Sequence, residues 1–103
     1  MTQRSAFVLK VRPERIDEYV EAHRAVWPEL LAALRAAGIR NYSIFRHGAE
    51  VFGYFESDDL EAASAYMATE EVNARWLDAM AHLLEERVPD DGPAGLEEIF
   101  RLD

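Results

Sequence analysis

Apolar positions in the first part of the chain alternate at first and then settle into a helical stripe. In SAFVLKV, Ser5 to Val11, Phe7, Leu9 and Val11 share one face and Ala6 and Val8 the other, which predicts a strand with two largely apolar faces. Pro13 suits the first turn of a helix, where its missing N–H costs nothing. Beyond it Ile16, Tyr19, Val20, His23, Trp27, Leu30, Leu31 and Leu34 fall on one side, the side a helix buries. That helix is expected to kink at Pro28, just after Trp27, and to stop at Gly38. Ile39 to His47 and Glu50 to Glu56 read as two strands joined at Gly48 and Ala49, a hairpin. Tyr42 and Ile44 share a face that Phe45 does not, and Phe52 and Tyr54 oppose Val51 and Phe55. A second helical region is expected from Ser57 or Asp58, with Asp58 and Glu61 as a capping pair, through Leu60, Ala63 and Met67. Thr69, followed by Glu70 and Glu71, has the chemistry of a fresh helix start, and the restarted piece sets Val72, Trp76, Met80, Leu83 and Leu84 on one side. VPDDGPAG, Val88 to Gly95, is a loop by its turn residues, and LEEIFRLD closes the chain as a short strand.

The element order is therefore β-α-β-β-α-β, the ferredoxin-like arrangement of the α+β class. An antiparallel sheet of this kind carries helices on one face, and its other face meets water or a partner. Strands apolar on both faces argue against water. A homodimer built on sheet faces is the expectation, with edge-strand exchange left open.

Length and charge narrow the picture further. The 103 residues suffice for one small domain, 1–103, and a lone domain of this size buries a limited core. Half the residues are hydrophobic and 30% are charged, which is a globular composition. The net charge of −9, from 20 acidic and 11 basic residues, would repel a polyanion, and no basic run offsets it. Nucleic acid and anionic membrane are set aside as partners. No apolar run approaches the roughly 18 residues of a membrane span. The opening MTQRSAFVLKVRPE, broken by Lys10 and Arg12, reads as a strand and not as a signal peptide. A soluble cytoplasmic protein is the expectation. The chain has no cysteine, so disulfides, thiolate nucleophiles and cysteine metal sites are excluded.

No phosphate loop, zinc signature, nucleophile elbow or dinucleotide fingerprint occurs, so chemistry has to come from scattered side chains. His23 stands out. It lies between Tyr19 and Trp27 at intervals of four on a face that should avoid water. Imidazole exchanges protons near neutrality, so His23 could serve a small dry pocket, or it could be a core histidine satisfied by backbone or water. Tyr19 and Tyr42 can offer hydroxyls to a polar ligand or act as boundary packing. Trp27 and Trp76 can be flat platforms or plain core. His47 at the hairpin and His82 off its helix stripe read as surface residues. The acidic pairs Glu70–Glu71, Glu85–Glu86 and Glu97–Glu98 read as solvated charge. No ligand spacing argues for a metal.

The stretch AFVLKVRPERIDEYVEAHRAVWPELLAALRAAGIRNYSIF closely resembles the L-rhamnose mutarotases. Tyr19, His23, the WPEL of Trp27 to Leu30, Asn41–Tyr42, Arg75–Trp76 and the terminal LEEIFRLD carry the likeness across nearly the whole chain. The resemblance implies a cytoplasmic, cofactor-free homodimer, a dimeric α+β barrel, that interconverts the α and β anomers of L-rhamnose. It implies that His23 is the proton donor and that Tyr19, Tyr42 and Trp76 bind the sugar. The family often has a second tryptophan after the first; here that position is Leu77, which would reshape one pocket wall and bear on sugar preference. Leu77 or Met80 could line an apolar corner for the 6-methyl group. Small dimers of the same architecture include cofactor-independent monooxygenases and haem-degrading enzymes, and a non-catalytic sugar-binding dimer is a further reading, because fold alone does not separate these.

Overall fold

The computed structural model describes residues 1–102. Three antiparallel strands, β1 (Gln3–Lys10), β2 (Arg40–His47) and β3 (Glu50–Ser57), form one sheet in the order β1-β3-β2. Helices α1 (Ile16–Ala22), α2 (Pro28–Ala36), α3 (Leu60–Thr69) and α4 (Glu71–Ala81) complete the chain, with a single 3-10 turn at Pro13–Arg15. The α+β class is as expected.

The sheet register sorts the side chains. Phe7, Gly53 and Ile44 lie in one row and Val8, Phe52 and Phe45 in the next, so they point to opposite faces. The Phe7 face meets the helices, and Phe7, Val11, Val51, Leu30, Met67, Trp76 and Leu83 are buried there. The Val8 face is bare: Phe45 is 66% exposed and Phe52 40%. Gly53 is fixed by the helix-side packing, since a Cβ there would run into the Phe7 ring.

The long first helix is two. Its first part ends at Ala22 and its second starts at Pro28. Proline has no N–H for the carbonyl four residues back, and it drives the residue before it out of helical geometry. Trp27 accordingly has φ −56° and ψ 131°. Pro28 is thus a helix start and not a kink. Gly38, at φ 84°, ends α2 as expected, with Ile39 N–H donating to the Leu34 carbonyl at 3.0 Å.

Two helix starts are displaced from the pattern. Asp59, not Asp58, caps α3, its carboxylate accepting the Ala62 N–H at 3.0 Å, while Asp58 pairs with Arg40 at 2.8 Å. Thr69 closes α3, donating its hydroxyl to the Tyr66 carbonyl at 2.8 Å, and Glu70 takes the N-cap position of α4.

The closing strand does not form over residues 96–102, and Asp103 lies outside the described residues. This segment meets β1 through the Leu96 N–H to the Ala6 carbonyl, 2.7 Å, and through Arg4 with Glu98, 2.9 Å. Ile99, Phe100 and Leu102 then stand exposed.

Candidate active site

Between the helix-side face of the sheet and the helices lies a cavity of about 150 Å³. A volume of that order accepts a six-membered ring. Tyr19, His23, Tyr42, Trp76 and Leu77, the residues that the family resemblance singled out, come from three separate stretches of the chain and all line it. Phe7, Leu30, Leu34, Ile44, Met67 and Met80 make much of the remaining wall.

His23 is held by its own helix. It follows the last residue of α1, and its Nδ1 lies 2.8 Å from the Tyr19 carbonyl oxygen. A carbonyl only accepts, so Nδ1 carries the hydrogen and Nε2 is the nitrogen left for chemistry. The same carbonyl also accepts the His23 backbone N–H at 3.3 Å, so both bonds tie the residue to the end of α1. Tyr19 and His23 stack at 4.3 Å between ring centroids, and Trp76 meets the His23 ring edge-on at 5.4 Å. Burial lowers the His23 pKa below its ordinary 6.5, and the Tyr19 carbonyl partly opposes this.

Tyr19 is buried, and loss of solvent pushes its hydroxyl up to about 12. Tyr42 is 39% exposed over the whole residue, yet surrounding protein still raises its hydroxyl well above the usual range, with Tyr19 adding to the effect. Both hydroxyls therefore stay protonated at neutral pH and can donate hydrogen bonds. Trp27 is not on the helix that carries His23, but it returns to the site by packing edge-on against Trp76 at 5.1 Å. His82 pairs with Glu18 on the surface at 3.0 Å, and His47 is exposed at the end of β2. Among the described residues no three His, Asp or Glu side chains gather where a metal could be held.

Three contributors are not evident from the pattern. Asn41 has φ 51°, and the β2–β3 register shifts between Arg40 and Ser43. This irregularity, suited to asparagine, delivers Tyr42 onto Phe55 at 5.2 Å and Phe7 at 6.3 Å. Gly53 leaves the room that the Phe7 ring fills. The turn at 90–93, which reads in the sequence only as a loop, also lines the cavity. Asparagine and glycine inside strand patterns were the available signal for the first two.

The L-rhamnose mutarotase family model matches residues 4–102. An L-rhamnose mutarotase of Opitutus terrae is 40% identical, covering 97% of this chain and 98% of its own. One from Bacillus subtilis is 36% identical, covering 98% and 99%. The crystal structure of an L-rhamnose mutarotase from Formosa agariphila superposes with a TM-score of 0.77 at 32% identity, covering 98% of this chain and 99% of that one.

Proposed function

Since the chain belongs to the L-rhamnose mutarotase family, we propose that it interconverts the α and β anomers of L-rhamnose by acid–base opening and closing of the pyranose ring. The observation that carries this reading is the cavity itself: an imidazole with a free Nε2 beside two protonated tyrosine hydroxyls, enclosed by apolar walls. The family match favours it over the oxygenase, haem-degrading and sugar-binding readings.

Opening transfers a proton from the C1 hydroxyl and delivers one to the ring oxygen. The O–H electrons form the C1 carbonyl as the bond from C1 to the ring oxygen breaks. C1 turns about its bond to C2, and the reverse transfers close the ring on the other face. The resting His23 imidazole is neutral, so Nε2 accepts a proton first and gives it up as imidazolium; its donor role follows from that. Tyr19 and Tyr42 donate hydrogen bonds to sugar oxygens and steady the charge that develops there. Trp76 offers an apolar face to the sugar, and Leu77 with Met80 forms a corner suited to a methyl group. This proton traffic requires no electron transfer and no covalent bond to the protein.

The working unit is a homodimer in which the bare sheet faces meet as a dimeric barrel, in the cytoplasm; the exposed Val8, Phe45 and Phe52 support this. No helix is long and apolar enough to cross a membrane among the described residues. The test is saturation-transfer NMR on equilibrated L-rhamnose with catalytic amounts of protein. Exchange between the anomeric protons above the buffer rate supports a mutarotase. Exchange at the buffer rate from folded protein ends the proposal.

A further inference from the structure

One wall of the cavity belongs neither to the sheet nor to a helix. It is a strap after α4 made of Val88, Asp90, Asp91, Gly92 and Pro93. The strap is pinned at several points. Gly92, at φ 104°, closes a turn by donating its N–H to the Pro89 carbonyl at 2.9 Å. Asn73 of α4 donates through Nδ2 to the Asp90 carbonyl at 3.1 Å and to the Met67 carbonyl at 3.2 Å. Arg87 donates to the Val88 carbonyl at 3.0 Å and to the Asp90 carboxylate at 3.1 Å, while also holding Asp78 at 2.9 Å. Val88 is buried beneath. Asp91, between Asp90 and Gly92 in this turn, is an exposed residue that borders the cavity, and no described residue hydrogen-bonds its carboxylate.

A monosaccharide presents hydroxyls that both donate and accept. Tyr19 and Tyr42 supply donors to the cavity, and the Asp90 carboxylate is already engaged by Arg87. Among the described lining residues, Asp91 is the one carboxylate that no side chain engages. A carboxylate accepts from two neighbouring hydroxyls at once. We propose that Asp91 is a specificity-determining residue whose carboxylate accepts hydrogen bonds from vicinal sugar hydroxyls, and that Asn73 is a positioning residue that sets the strap carrying it.

This inference rests on the proposed mutarotase activity, so the experiment establishes that first. Anomer-exchange NMR is run on the intact wild-type protein over a range of L-rhamnose concentrations, then on Asp91→Ala, Asn73→Ala and the double variant. Wild type without exchange refutes the function itself, before any variant is compared. With wild type active, Asp91→Ala raises KM roughly ten- to a hundredfold, as expected for losing a hydrogen bond to a charged group, while kcat stays within about threefold. Asn73→Ala raises KM less, and adds little when Asp91 is already alanine, because the two act as one unit. Asp91→Ala melts like wild type, since its carboxylate bonds no described residue. An unchanged KM in Asp91→Ala overturns the assignment. A large fall in kcat at constant KM overturns it as well, by making Asp91 a proton-transfer group. Additive effects of the two substitutions remove Asn73 from its positioning role.

Discussion

At the scale of single residues, His23 answers two demands with one contact. Its Nδ1–H joins the backbone N–H of the same residue on the Tyr19 carbonyl, as in an ordinary structural histidine, and that bond leaves Nε2 for the proton transfer proposed above. His23→Ala should lower anomer exchange by about 10²- to 10⁴-fold, the usual contribution of one acid–base group. Circular dichroism should show the fold retained, because losing one hydrogen bond costs only about 1 kcal/mol. The pH dependence follows from the same group. Its pKa is lowered from 6.5 by burial, and the competent form is the neutral one, so activity is present above the folded-state pKa and lost as the pH falls through it. The acid limb of the rate profile should therefore have its midpoint below 6.5, with a plateau on the alkaline side, since Tyr19 does not ionise until about 12. A midpoint above 6.5 would mean another group controls the rate. Tyr19 and His23 were legible because a four-residue spacing is local and becomes contact on any helix. Asn41 stood out only as part of the family likeness and Asp91 not at all, because a bulge and a strap acquire meaning only from the strand or helix they lie against.

At the scale of elements, local chemistry was readable where one residue decides and obscure where two compete. Gly38 ended its helix as its type demands. Pro28 did more than bend one, because the missing N–H and the extended residue before it together gave the chain a five-residue non-helical bridge, 23–27. Between Asp58 and Asp59 the sequence could not choose. Arg40, distant in sequence, holds the first and leaves the second to cap α3. Gly53 shows the same limit across the sheet. Its partner Phe7 comes from β1, more than forty positions earlier, and only the register brings the ring over the glycine. Gly53→Ala should force the ring aside and cost about 1–3 kcal/mol, as overpacking typically does. For a domain near 100 residues that is a fall in Tm of roughly 4–20 °C. Phe7 also touches Tyr42, so the same variant should raise KM for the sugar. A variant that melts with wild type would show that the sheet relaxes around the new methyl.

At the scale of the whole molecule, the unfinished features all concern apolar surface. Val8, Phe52 and Phe45 form a row across the three strands on the face without helices. The terminal segment adds Ile99, Phe100 and Leu102 beyond the last described contacts with β1. The two apolar strand faces in the sequence anticipated that a second surface needs covering. The expected closing strand is absent over residues 96–102, and its apolar side chains stand uncovered in the single chain. In the homodimer proposed above a second copy would meet both needs by symmetry, since a two-fold interface would bring each Phe45 against the partner's matching surface. Phe45→Asp tests this without touching the cavity, because Phe45 lies on the opposite face of β2 from Ile44. If each copy of a central aromatic contributes about 2 kcal/mol, the symmetric pair contributes about 4, and dimer dissociation should weaken roughly a thousandfold. Sedimentation velocity at micromolar concentration should then show wild type at twice the chain mass and Phe45→Asp at the chain mass. Wild type sedimenting as a single chain would leave the bare face without a partner copy. A dimer that survives Phe45→Asp would move the interface to the terminal segment, where Phe100→Asp becomes the deciding variant.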